Sequence, residues 1–173
     1  MTTLTLTDTP RIYVASLADY NAGHLHGVWI DCDQDVEDIQ LEIKEMLSES
    51  QEHIAEDWAI HDVENFGGLS LKGYDLDQIA EIGQAIEEHG NAVVGYIDNM
   101  GEWDESAFQD AYMGEWESEA SYAENLAYDT GDLRRCGDLA CYIDFDMYAR
   151  DLFSSGYWSW KSNDATVHVY ANY

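Results

Sequence analysis

The sequence predicts an α+β protein. Three observations lead there. Runs rich in β-branched and aromatic residues, bounded by turn residues, occupy both ends of the chain. Apolar residues recur at helical spacing through its middle. Finally, 46% hydrophobic and 13% aromatic residues, with a single proline, supply enough apolar surface to offset the entropy of ordering. A length of 173 residues accommodates one domain or two to three small ones.

Residues 11–17, Arg-Ile-Tyr-Val-Ala-Ser-Leu, read as a first strand, and 19–23, Asp-Tyr-Asn-Ala-Gly, as a turn. Residues 27–30 form a second strand, and 58–63 a third, closed by Gly67 and Gly68. An acidic helix lies between the second and third strands, so a small antiparallel sheet crossed by one helix is expected. Leu76, Ile79, Ile82 and Ile86 mark a second helix, with Asp75 as N-cap, Gln78 three residues on and Gly90 as its stop. Further helices are expected over 104–112, over 119–127 (ending near Gly131) and over 144–152. Two strands, 157–160 and 166–170, close the chain around a turn at 162–164.

Thirty-six acidic residues face seven basic ones, a net charge of −29 with a pI near 4.1. Charge on this scale opposes compactness through self-repulsion. It marks disorder only where hydrophobicity is low, which is not the case here. A halophile's acidic solvation shell suits six Trp and twelve Tyr poorly. The obvious counterpart is a basic surface, and the largest in a cell are the grooves of proteins that bind nucleic acid. Nucleic acid and anionic membrane surfaces are themselves excluded as partners by repulsion. No run approaches 18 apolar residues, and the opening Met-Thr-Thr-Leu-Thr-Leu-Thr lacks the basic start and apolar core of a signal peptide. The cytoplasm is therefore the expected location.

The sharpest pattern is in the first helix. Asp35, Asp38, Glu42, Glu45, Glu49, Glu52 and Glu56 are spaced alternately three and four apart, which puts carboxylates in one stripe. Val36, Ile39, Ile43, Leu47 and Ile54 take a neighbouring face and dock it to the sheet. An unbroken helix of this length would run about 33 Å, close to the roughly 34–36 Å of one turn of B-DNA. The sequence Ser48-Glu49-Ser50 is where it could break. Solvated helix faces ordinarily mix signs, because like charges at this spacing destabilise a helix. Here Lys44 is the only base nearby, which favours a functional stripe.

Other constellations carry less. Asp31, Asp33, Asp35 and Glu42 match positions of a calcium loop, but Val36 stands where that loop needs glycine and only a strand precedes it. His24 with His26, and His61 beside Asp62, lack further ligands at metal spacing. Cys32, Cys136 and Cys141 suit neither a disulfide framework nor a zinc site. Trp103, Trp116, Tyr112 and Tyr122 interleave with acids, which points to core filling and some interface contact rather than stacking on bases. There is no nucleophile motif and no phosphate-cradling loop, so no enzyme and no cofactor are expected.

Several segments together resemble one family. Residues 11–23 followed by Leu25-His26-Gly27-Val28-Trp29 resemble the N-terminal signature of ArdA antirestriction proteins; 56–62 and 142–152 resemble later blocks. The resemblance covers nearly the whole chain. It implies an elongated homodimer of three small domains, here 1–70 (sheet plus helix), 71–112 (acidic and helical) and 113–173 (α+β, for dimerisation). It also implies carboxylates that imitate the phosphates of bent B-form DNA and occupy the DNA-binding groove of type I restriction–modification enzymes, both methyltransferase core and full complex. Such proteins are encoded on conjugative plasmids and transposons and shield incoming DNA. Beyond the stripe, the carboxylates that would carry this role are Glu81, Glu87 and Glu88, then Glu102, Asp104, Glu105 and Asp110, then Glu115, Glu117 and Glu119. An acidic mimic aimed at another DNA-binding protein and a calcium-binding or other cation-binding module are the alternatives.

Charge also places the homodimer interface. Residues 1–60 carry −11, 61–120 carry −14, and 121–173 only −4. The last segment has Arg134, Arg135, Arg150 and Lys161 to face acids, and Tyr142, Phe145, Tyr148, Phe153, Tyr157, Trp158 and Trp160 of the kind enriched at interface cores. The alternative use of these rings is a small core of their own.

Overall fold

The computed structural model describes residues 9–52, 54–161 and 165–172. The fold is α+β. Among the described residues the strands form two antiparallel sheets of three, and the chain divides into two compact units between Val94 and Gly95.

In the first unit β1 (Arg11–Ser16) is the central strand, between β2 (Gly27–Asp31) and β3 (Trp58–Glu64). Ile12 pairs with Ile30 and Val63, and Val14 with Val28 and Ile60, so one face of the sheet is aliphatic. Helix α2 (Val36–Ser48) brings Ile39, Ile43 and Met46 to the core, and α3 (Leu76–His89) brings Ile79, Ile82 and Ile86. Gly83 lets α3 approach the sheet, since a Cβ there would lie 2.2 Å from the Cys32 carbonyl oxygen. Asp75 and Gln78 form the expected reciprocal capping box, and Gly90 ends the helix at φ +58°.

The second unit is built around β6 (Val167–Ala171), flanked by β4 (Tyr112–Trp116) and β5 (Tyr157–Lys161). Residues 167–170 are buried without alternation because both faces of β6 are covered. On one face Val167 and Val169 pack with Tyr122 of α6 (Glu119–Asp129), Phe153 of α8 (Phe145–Phe153) and Tyr157. On the other, Tyr170 stacks on Trp158 at 3.9 Å, and His168 Nδ1 and the Tyr112 hydroxyl share a 3.0 Å hydrogen bond. Phe108 of α5 (Glu105–Ala111) stacks on Tyr112 and contacts Tyr96 and Trp103.

Four expectations need correction. The acidic helix ends at Ser48, so it spans about 20 Å; Glu49 is its C-cap, and Glu52 and Glu56 lie beyond it. Ile54, expected on the docking face, is consequently 76% exposed. The turn expected at 19–23 begins as a short helix, α1 (Leu17–Asn21), whose N-cap Ser16 accepts from the Asp19 amide. Tyr112 opens strand β4 instead of closing a helix, because its ring and those of β6 need the sheet. Helices α4 (Asn91–Met100) and α7 (Asp132–Cys136), and a 3₁₀ turn over Gly137–Tyr142, were not expected. The turn at 162–164 lies outside the described residues.

Candidate functional site

Fourteen of the seventeen candidate carboxylates are exposed; Glu42, Glu52 and Glu119 are partly buried. On α2 the stripe of Asp38, Glu42 and Glu45 runs along a flank of the helix. At 100° per residue the outermost line belongs to Leu41, Lys44 and Ser48, all exposed. Asp35 sits at the N-cap, and the remaining stripe residues continue into the segment that follows the helix. Glu81, Glu87 and Glu88 are exposed on α3. In the second unit Asp104 caps α5, Glu105 and Asp110 lie on it, Glu115 lies on β4, and Glu119 opens α6.

Six of these groups are oriented by neutral donors. Gln84 Nε2 donates to Asp35 Oδ1 at 3.1 Å, and Gln34 Nε2 to Glu42 Oε1 at 2.6 Å. Gln109 serves Glu105 at 3.0 Å, the Ser159 hydroxyl serves Glu119 at 2.7 Å, and the Thr166 hydroxyl serves Glu115 at 2.5 Å. The backbone N–H of Ala107 serves Asp104 at 2.8 Å. Amides and hydroxyls fix a carboxylate in place yet leave its full charge, whereas a lysine or arginine would cancel it. Two arginine ion pairs among the described residues fall on acids outside the set, Arg11 on Glu64 and Arg135 on Asp132. Within the set, Glu88 has His89 at 3.8 Å.

Sequence spacing missed some exposed acids. Glu37, Asp57, Asp62 and Asp77 are exposed as well, and the stripe rule selects only one line of a helix whose solvent face is wider. Asp57 and Asp62 have no helical spacing to reveal them.

The groups whose titration burial perturbs are moved away from neutral pH. Burial, with the Asp31 charge nearby, pushes the Cys32 thiol up to about 12. Burial, with Glu115, pushes Tyr112 up to about 12, and burial also raises Tyr170 and Tyr96. Among the described residues no group of three His, Cys, Asp or Glu side chains is arranged to hold a metal. The calcium-like run is used otherwise: Gln34 bridges the Asp31 carbonyl and Glu42, and α2 starts at Val36. His26 Nε2 donates to the Met46 carbonyl at 2.7 Å, and the His61 ring meets Tyr20 edge-on.

The residues expected at an interface divide in two. Tyr157 packs on Tyr122, Trp158 on Tyr170, and Trp160 donates to Asp98 at 3.2 Å, all within the second unit. Phe153, from the same aromatic run, joins the core with Tyr122. Tyr142 is 82% exposed, Arg134, Arg135 and Arg150 are exposed, and Phe145 and Tyr148 are half-buried on α8. Leu139, Met147 and Tyr128 are exposed on neighbouring elements, and the Arg134 guanidinium lies 5.9 Å from the Tyr128 ring. These apolar residues have no sequence period that marks them.

Among the described residues no helix is long and apolar enough to cross a membrane. Among curated proteins none matches the chain. The family profile described as Antirestriction protein (ArdA) matches residues 12–165. The chain therefore belongs to the ArdA family, and antirestriction, the antagonism of restriction–modification enzymes, is the function that membership implies.

Proposed function

We propose that this ArdA protein acts as a DNA mimic, occupying the DNA-binding groove of type I restriction–modification enzymes and so protecting incoming plasmid or transposon DNA. The observation that carries the reading is the set of exposed or half-buried carboxylates held by neutral donors, from Asp35 and Glu42 to Glu115 and Glu119. Preorganised, uncompensated negative charge gives a basic groove the same counterion exchange that DNA gives it. Duplex displacement follows from competition for one surface, and no chemical step is required. Homodimerisation through the exposed apolar and arginine side chains of α7, the 3₁₀ turn and α8 belongs to the same proposal, and it would act in the cytoplasm.

The test is a competition between this protein and duplex DNA for a type I methyltransferase core, with the binding constant measured from about 50 to 200 mM salt. Affinity should fall steeply over that range and DNA should be excluded from the complex. A nearly flat salt dependence, or a ternary complex that retains DNA, would remove the mimicry reading while leaving the family assignment untouched.

A further inference from the structure

Asp19 is the one acid buried among the described residues, at 1% exposure, in a chain that places most of its carboxylates in solvent. It lies on α1, at the end of sheet β2-β1-β3 where the β1–β2 connection meets the segment leading from α2 into β3. Its Oδ2 accepts from the Ser50 hydroxyl at 2.5 Å, two residues past the end of α2. Ser50 Oγ in turn accepts from the Glu52 N–H at 3.0 Å. Farther along, the Leu17 N–H at the start of α1 donates to the Asp57 carbonyl at 3.0 Å. The acids that follow α2, namely Glu49, Glu52, Glu56 and Asp57, are thus tied at two points to one helical turn. On the other side, His26 Nε2 donates to the Met46 carbonyl in the last turn of α2, where the chain has no basic residue.

The chemistry of this anchor is unusual for its surroundings. Successive carboxylates leaving a helix repel one another and favour many spread conformations. A lysine or arginine placed beneath them would hold them but cancel their field. Asp19 holds them as an acceptor, through a hydroxyl, and leaves every charge in place. The Ser16 and Ser50 hydroxyls, with His26 nearby, keep its carboxyl below the usual range, so it accepts as the ionised form at neutral pH.

We propose that Asp19 is a positioning residue which, through Ser50, fixes a second limb of the binding surface: Glu49, Glu52 and Glu56 continue the acidic track after the helix has stopped. This rests on the mimicry reading above. The stripe is therefore kept past Ser48 by a hydrogen-bonded anchor, where helical geometry no longer supplies it.

The experiment is a double-mutant cycle on the full chain, read as affinity for the methyltransferase core at low salt with melting temperature alongside. Glu52→Gln with Glu56→Gln forms one arm and Ser50→Ala the other; Ser50→Thr, which keeps the hydroxyl, is the rescue. Each arm should weaken binding about three- to tenfold, and the two together should lose little more than one alone, because they act through the same contact. Ser50→Thr should bind as the parent does. Asp19→Asn, which removes the charge but keeps an acceptor, should fall between. Additive losses, or a lowered melting temperature with unchanged affinity, would make Asp19 and Ser50 purely structural and overturn the inference. An ineffective Glu arm would overturn it too, by removing the limb from the contact. In that case the mimicry reading would still stand if Glu42 and Glu45 mattered. It would fall separately if the parent protein itself did not compete with DNA.

Discussion

The two sheets share one plan, three antiparallel strands with a central strand paired on both sides, yet their cores are made of different material. Around β1 the core is aliphatic, with Ile12, Val14, Ile30, Ile39, Ile43, Ile79 and Ile82 buried. Around β6 it is aromatic, with Tyr96, Phe108, Tyr122 and Tyr170 buried and Tyr112, Trp158 and Phe153 packed against them. An aromatic ring buries about 150–250 Å², so a unit of five-residue strands can close with few core positions. That suits a chain that gives 36 of its 173 residues to acids. Charge differs in step: residues 1–94 hold 20 acids and 3 bases, and residues 95–173 hold 16 and 4. The aliphatic half carries the denser field, while the aromatic half carries most of the arginine.

The comparison breaks most readily at Phe108, which is 1% exposed and touches Tyr96, Trp103 and Tyr112. Phe108→Ala should destabilise the protein by about 3–5 kcal/mol through lost burial and a cavity, seen as a lower urea midpoint. Near-ultraviolet dichroism should weaken at the same time as the rings lose their fixed packing. A loss below about 1 kcal/mol would mean that the rings fill space without holding the fold, and the contrast between the two cores would be one of composition only.

The next effect concerns association. Leu139 at 69%, Tyr142 at 82% and Met147 at 60% exposure are apolar surface in the half with the most arginine. If they form the proposed dimer interface, replacing Leu139 and Tyr142 together by Asp should leave a monomer in sedimentation where the parent is a dimer, without changing helical content. Truncation near Ser118 cannot make this test, because it deletes β5 and β6 and leaves β4 without its sheet. If the double variant still dimerises, the interface lies elsewhere and the low charge of residues 121–173 has another cause.

Legibility in the sequence followed the same divide. Where a core is aliphatic and one-faced, periodicity reveals it: Ile79, Ile82 and Ile86 on α3, with Asp75 and Gln78 capping, could be read directly. Helix α4 could not, since residues 92–97 are all buried and no polar face remains to set a period. Strand β4 was hidden because Gly114, at φ +104°, and Glu115 interrupt its apolar run and Tyr112 directly follows a helix. In the surface, the whole acidic stripe was visible as spacing, but the end of its helix at Ser48 was not. The Ser50–Asp19 hydrogen bond beyond that end spans 31 residues, and no local pattern connects the two.

The smallest expected effect on stability is also the sharpest on function, and it tests whether the charge of the first half is there to bind. Glu42, Glu45 and Glu49 replaced together by Gln keep helix propensity and, at Glu42, keep the carbonyl that accepts from Gln34. The change removes like-charge neighbours three and four apart, each unfavourable by about 0.2–0.5 kcal/mol. It also removes negative charge from the C-terminal end of α2, where the helix dipole disfavours it. Stability should therefore hold or rise by up to about 1 kcal/mol. Affinity for the methyltransferase core should move the opposite way, falling about tenfold at low salt, with the gap narrowing as salt screens the remaining contacts. Opposed signs in one variant separate binding charge from folding charge, since a solvated face would gain stability and lose nothing. Full-strength competition with DNA by the triple variant would take α2 out of the binding surface and leave the acids of α3 and α5 as its seat.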